Sequence, residues 1–263
     1  MAPLNASFRA MHIETAEGLS DTSEKSADSL RSSDQLEPLD GSILETLRGL
    51  NASILANSIE RFHNRLHNEG FVDHTVSCLC PHTQAMVGYA ATLRIRGSAP
   101  PTAGGQYPDR TDWWDYVLSL PEPRVAVLED VSSRPGLGSL IGAVHMNILR
   151  ALRCVGVVTN GAVRDLPAAE SAGFYLFAGN VAVSHTYVHI VEIGQPVQIG
   201  GLKIKSGDLL HGDRHGVQSV PLDIAAKIPS IAAELARQEQ AIIDLCRSPD
   251  FSLEKLRAAV SKG

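Results

Sequence analysis

The stretch GLGSLIG, residues 136–142, followed after a helical run by VGVVTNGAVRD, residues 155–165, decides the fold. Before it, Val125–Leu128 is a short apolar run bounded by Pro123 and by charge at Glu129 and Asp130, which reads as a buried strand. From Ala143 to Arg153, apolar residues at Val144, Ile148, Leu149 and Leu152 follow helical spacing. Val155–Thr159 reads as a second buried strand, with Asn160-Gly161 as the turn that ends it. Strand, glycine loop, helix and strand make a parallel βαβ unit with a right-handed crossover. Its helix start near Gly142 and the Arg164-Asp165 pair then share the carboxyl edge of the sheet, where ligands of open α/β sheets bind.

Outward from this unit, Ser42 with Glu45 suggests a capping box opening a helix, and a second helix is expected from Ser53 to His67, before Gly70. Val76–Cys80 and Gly88–Ile95 read as strands. Thr111 is expected to cap a helix over Asp112–Leu120 that carries Trp113 and Trp114, more in keeping with core or subunit contact than with an exposed platform. Beyond the unit, strands are expected at Phe174–Ala178, Val181–Val183 and His185–Ile193. A hairpin joins Val197–Ile199 to Leu202–Ile204 through Gly200-Gly201. Asp208–His211 and Val217–Val220 flank a Gly212-Asp213 turn, and helices close the chain at Ile224–Leu245 and Leu253–Val260. A parallel core followed by short hairpin strands predicts a layered β/β/α sandwich in the α/β class, with helices at both ends.

The 263 residues are 44% hydrophobic, enough for a full core, and carry a net charge of −6 without a basic cluster, which argues against a nucleic-acid surface. Residues 1–40 hold eight acids against Arg9, Lys25 and Arg31, so they carry −5 and leave −1 for the remainder. They are rich in serine and poor in aromatics, which predicts a disordered acidic tail ahead of a single domain over 41–263. No apolar run approaches the roughly 20 residues of a membrane helix, and no signal-peptide core is visible. Cys78, Cys80, Cys154 and Cys246 form no CxxC pair, so reduced thiols and a cytoplasmic location are expected.

The glycine loop is not a dinucleotide fingerprint, because Gly138 and Gly142 are separated by three residues and no acid ends the next strand. A helix N-terminus with free N–H groups suits a carboxylate or phosphate, although glycine there also serves simply to make a tight turn. Arg164 can grip a carboxylate and Asp165 offers a hard oxygen to Mg²⁺; a local ion pair, or Asp165 capping the helix that begins at Pro167, is the plainer alternative. His185 and His189 lie about 13 Å apart on one strand face, too far for one metal. His211, Asp213 and His215 suggest a hydrogen-bonded turn before a metal site.

Taken together, GSLIG at 138–142, GVVTNGAVRD at 156–165 and GDLLHGDRHGV at 207–217 resemble the RraA-like family, with GYAAT at 88–92 fitting an earlier family strand. The resemblance runs from about Leu44 to Leu235 and implies an RraA-like swivelling domain. The family includes divalent-metal-dependent 4-hydroxy-4-methyl-2-oxoglutarate aldolases that also decarboxylate oxaloacetate, and regulators that bind ribonuclease E. It implies that the backbone of Gly142, Ala143, Val144 and His145 binds the carboxylate of a short 2-keto acid, that Arg164 holds the same substrate, and that Asp165 ligates Mg²⁺ or Mn²⁺. It also implies a homotrimer or homohexamer, while the charge and hydropathy already described lead to the expectation of no nucleic-acid or membrane partner. One position departs from the pattern: the family's acidic residue before the arginine is here Ala143, which leaves Glu129 or Asp130 as substitutes. A carbon–carbon lyase is therefore expected, with a non-catalytic regulator or binding protein as the alternative.

Overall fold

A computed structural model describes residues 37–261. Its frame is the βαβ unit: β3 (Arg124–Asp130), α4 (Ala143–Ala151) and β4 (Cys154–Val163), with β3 and β4 parallel from Val125 opposite Gly156 to Leu128 opposite Thr159. β2 (Met86–Arg96) pairs in parallel with β3 on one side, and β5 (Tyr175–Val181) with β4 on the other, after α5 (Leu166–Ala172). These four strands are apolar on both faces, as a sheet covered on both sides requires. Antiparallel strands complete it: β1 (Ser77–Cys78) beside β5, β9 (Leu209–Asp213) beside β2, β10 (Gly216–Val220) beside β9, and β6 (His189–Ile193), which also pairs with β2.

Three apolar clusters give the layers. On one face, α3 (Arg110–Leu118), α4 and α5 cover the sheet through Trp113, Val117, Met146, Leu149 and Ala169. On the other, the hairpin of β7 (Val197–Ile199) and β8 (Leu202–Ile204) buries all four of its terminal apolar residues against Val125, Val127, Val158 and Phe177. The third cluster seats α1 (Gly41–Arg48), α2 (Ala52–Glu60), α6 (Leu222–Ala225) and the start of α7 (Ile228–Arg247) around Tyr89, Leu209 and Val220; α8 (Leu253–Val260) follows α7. The architecture is the expected β/β/α sandwich with terminal helices.

Several local expectations are corrected. Asn160-Gly161 does not end β4. The strand runs on to Val163, and the pair sits where the register with β5 shifts between Thr159 and Ala162. The Asn160 side chain stitches the neighbouring strand, accepting from Asp130 N (2.7 Å) and donating to Asp130 O (3.2 Å). Helix caps fall earlier than expected: Asp40 accepts from Ser42 N, while Glu45 pairs with Arg48, and Asp109 forms the capping box with Asp112. The second helix stops at Glu60, and β5 is one strand up to Val181. His185 precedes β6 and lies outside it. Gly212-Asp213 is inside β9, with the turn moved to Arg214 and His215. The final long helix begins at Ile228, after the separate turn of α6. Trp113 is core, with Trp114 packed partly against it. The tail expected over 1–40 lies, up to residue 36, outside the described residues.

Candidate functional site

The carboxyl edge of the sheet brings together the two ends of the decisive stretch. Between β3 and α4 the chain is pinned by Asp130, buried, whose carboxylate accepts from Ser132 N (3.0 Å) and Gly136 N (2.8 Å). Ser139 N donates to Ser184 O (3.0 Å) and Ile141 bridges Val163, so α4 starts beside the end of β4. Gly142 is the N-cap. A Cβ there would meet Arg164 Nε at 2.7 Å and Asp165 Oδ2 at 2.8 Å, so only glycine lets the helix start come this close.

At the end of β4, Arg164 N donates back to Ile141 O (3.0 Å). Asp165 takes a left-handed backbone (φ 60°) and is the N-cap residue of α5, without a side-chain bond to that helix. Its Oδ2 instead accepts from Ala143 N at 2.7 Å and lies 3.9 Å from Arg164 Nε. Both plainer alternatives for Asp165 are thus present in altered form: a long ion pair, and a cap on the preceding helix. The remaining donors are free. Among the described residues Val144 N and His145 N have no acceptor, and Arg164 Nε is buried without a hydrogen bond. An unpaired buried donor such as Arg164 Nε costs about 1–3 kcal/mol; with the two backbone N–H groups it lies where the positive end of a helix dipole favours an anion.

His145 is 6% exposed, and its Nε2 also lacks a partner. Burial, then the nearby charge of Arg110, pulls its pKa down to about 4, so the ring is neutral at pH 7. Neither candidate substitute for the acid missing at Ala143 is available. Glu129 pairs with Arg94 Nε at 3.0 Å, and both carboxylate oxygens of Asp130 hold the loop. His211, Asp213 and His215 form no metal cluster: buried His211 bonds Leu50 O, and Asp213 accepts from Ala52 N and from His215 N and Nδ1. His185 Nδ1 and His189 Nδ1 each bond a nearby backbone carbonyl.

For a hard cation the described residues at this helix start offer one carboxylate, Asp165. No group of three or more His, Cys, Asp or Glu side chains suited to a metal occurs among the described residues. Asp165 is part-exposed, and no donor engages its Oδ1. Mg²⁺ is commonly held by one or two carboxylates with water and substrate oxygens completing the octahedron. The residues fit that kind of site and not a protein-built cage.

Residues 47–218 match the RraA-like family, Aldolase/RraA, and the chain belongs to it. A relative from Halalkalibacterium halodurans, named only provisionally as a 4-hydroxy-4-methyl-2-oxoglutarate aldolase, is 28% identical over 123 residues; the match covers 45% of this chain and 59% of that one. Solved structures share the fold, two of them as follows. One is an uncharacterized protein of Pseudomonas syringae pv. tomato (TM-score 0.65, 21% identity, 87% of this chain and 98% of that one). The other is Streptomyces coelicolor RraAS2, described as an unusual member of the RNase ES inhibitor RraA family (TM-score 0.60, 18% identity, 78% and 96%). The family holds both aldolases and regulators. No helix among the described residues is long and apolar enough to cross a membrane.

Proposed function

We propose that residues 41–263 form one catalytic unit, a lyase that cleaves or decarboxylates a short 2-keto acid such as 4-hydroxy-4-methyl-2-oxoglutarate or oxaloacetate. The observation that carries this reading is the set of three unanswered donors, Val144 N, His145 N and Arg164 Nε, at one helix start. They match the carboxylate next to a keto group. Arg164 and the helix dipole hold that carboxylate, which sets the angle between the bond to be broken and the keto plane. For oxaloacetate, the C3–C4 bond breaks, carbon dioxide leaves, and the electron pair passes into C2 and its oxygen as the enolate of pyruvate. C3 then takes up a proton from water, which gives pyruvate. Asp165 would hold a divalent cation, Mg²⁺ or Mn²⁺, which when bound would supply positive charge for the C2 oxygen. His145, neutral, keeps a second positive charge away from the helix start.

The test is pyruvate release from both substrates with Mg²⁺, with Mn²⁺ and after chelation. Cation-dependent release is expected, and Arg164→Lys should lower kcat/KM by about tenfold or more, because lysine lacks the planar two-point grip. Absence of release with either cation overturns the lyase. The single-carboxylate donor set favours one other reading, a protein that binds 2-keto acids without turning them over. Saturable binding of pyruvate by calorimetry without product would select it. Four free cysteines accord with a reducing, cytoplasmic setting. No nucleic-acid or membrane partner enters this function.

A further inference from the structure

The opposite edge of the sheet carries a hollow that the proposed reaction does not use. Where β3 and β4 begin, a groove of about 520 Å³ opens between α1 and the end of α4, lined by Arg48, Arg150 and Arg153. A second hollow of about 310 Å³ shares Arg48, Arg150, Cys154 and Val155 and extends to Tyr175. Chain geometry brings the guanidiniums together. Arg48 ends α1, Arg150 stands in the last turn of α4, and Arg153 sits in the tight link to β4 with φ 61°. That link is fixed by Arg153 N to Arg150 O (3.0 Å) and Arg124 N to Arg153 O (3.1 Å).

Charge at this groove is unbalanced. Arg48 pairs with Glu45 at 3.0 Å, and buried Arg124, otherwise bonded to backbone carbonyls, reaches Glu122 at 3.4 Å. Arg150 and Arg153 have no acidic partner among the described residues. Among the described residues the lining Arg48, Arg150 and Arg153, with Arg124 beneath them, meet only Glu45 and Glu122, which leaves two positive charges in excess. One cation in the last turn of α4 would answer the helix dipole; this number exceeds that need.

We infer that the groove binds a phosphorylated small organic molecule. A phosphate monoester dianion matches the excess charge, and the planar guanidinium fork pairs with phosphate oxygens. Leu39, Leu44 and Pro123 give the groove an apolar wall for the organic part. The volume falls in the range of small-molecule sites.

Calorimetry on the full chain at constant ionic strength tests this, with phenyl phosphate, inorganic phosphate and phenylacetate as probes. Phenyl phosphate is expected to bind one site per chain, and more tightly than the other two. Arg150→Ala and Arg153→Asn, the latter chosen because asparagine tolerates a left-handed backbone, should each weaken it by about tenfold. Both residues are exposed, so circular dichroism should show intact folds. Arg164→Lys should leave phenyl phosphate binding unchanged, and the Arg150→Ala/Arg153→Asn double variant should release pyruvate as the parent does. Three results overturn the inference: no saturable binding of phenyl phosphate, equal affinity in the double variant, or loss of binding in Arg164→Lys, which would move the anion to the other edge. Inorganic phosphate binding as tightly as the ester would overturn the organic ligand. None of the binding results depends on turnover, so the lyase reading can fail without touching this one.

Discussion

At Asp165 a left-handed backbone turns the carboxylate back onto the preceding helix, where Oδ2 takes the Ala143 N–H at 2.7 Å. One side chain thus caps α4 beside the free N–H groups of Val144 and His145, and Ala143 adds no second carboxylate. A glutamate at 143 would stand at the positive end of the helix dipole, which favours it by about 0.3–1 kcal/mol. Ala143→Glu should therefore keep its stability and bind Mg²⁺ or Mn²⁺ about tenfold more tightly by calorimetry, whereas Asp165→Asn should lose cation binding while keeping the cap. Unchanged cation affinity in both variants would remove the cation from this site. His145 gives the residue scale its pH dependence. Its folded pKa, about 4, lies below the ordinary 6.5, so between those values the unfolded chain binds more protons and stability falls as pH falls. The full difference is about 3 kcal/mol, present above pH 6.5 and lost by pH 4. Thermal unfolding should drop in temperature across that window, and His145→Gln should flatten the slope. An equal slope in the variant would assign the acid sensitivity elsewhere.

At the scale of elements, the βαβ unit works because glycine thins the chain where a helix start must touch a strand end. Gly142→Ala places a methyl group 2.7 Å from Arg164 Nε and 2.8 Å from Asp165 Oδ2. Both atoms belong to side chains that can be displaced only by moving the site, so the variant should fold, lose up to about 1–3 kcal/mol, and show a raised KM before a lowered kcat. Loss of kcat alone would place the methyl group away from the bound substrate. The unit was legible in the sequence because buried parallel strands are continuous apolar runs and α4 keeps helical spacing. The hairpin was legible because Gly200-Gly201 demands left-handed backbone at both residues. Asn160-Gly161 misled for a physical reason: the same dipeptide that makes a turn also makes a strand irregularity, and which occurs depends on neighbouring strands. Strand ends were misjudged where burial removes alternation, as over Met86–Ile95, with only Arg94 not fully buried. Arg164 and Asp165 could be read from their motif, but the bond from Ala143 to Asp165 joins residues 22 apart and needs the fold. The basic groove left no motif, since Arg48 comes to line it beside Arg150 and Arg153 only through the fold.

On the whole molecule, the rim of the site stands out as apolar. Leu137, Val144, Val181, Val183 and Tyr187 are all exposed, with Val144 at 75% and Val183 at 98%. All lie on segments that carry or border the site: Ser139 N bonds Ser184 O, Val163 pairs with Val181, and Gly138 packs beneath Thr186. Burying such a side chain is worth about 1.5–3 kcal/mol, and apolar surface concentrated around a site marks a surface that another molecule covers. A second copy of the chain is the occupant to expect, because a ring of three, single or doubled, would cover each protomer's rim with its neighbour and shield the 2-keto acid from water. Light scattering at micromolar concentration should give the mass of a trimer or hexamer. Val183→Asp is the sharp variant. Its side chain is almost wholly solvated in the protomer, so the aspartate costs the fold almost nothing but would be buried unpaired in the ring, at several kcal/mol. The variant should keep its circular dichroism, fall to the mass of one chain, and lose pyruvate release along with assembly. A parent protein that is monomeric, or a variant that keeps its oligomeric mass, would show that the rim faces water and that each site works alone.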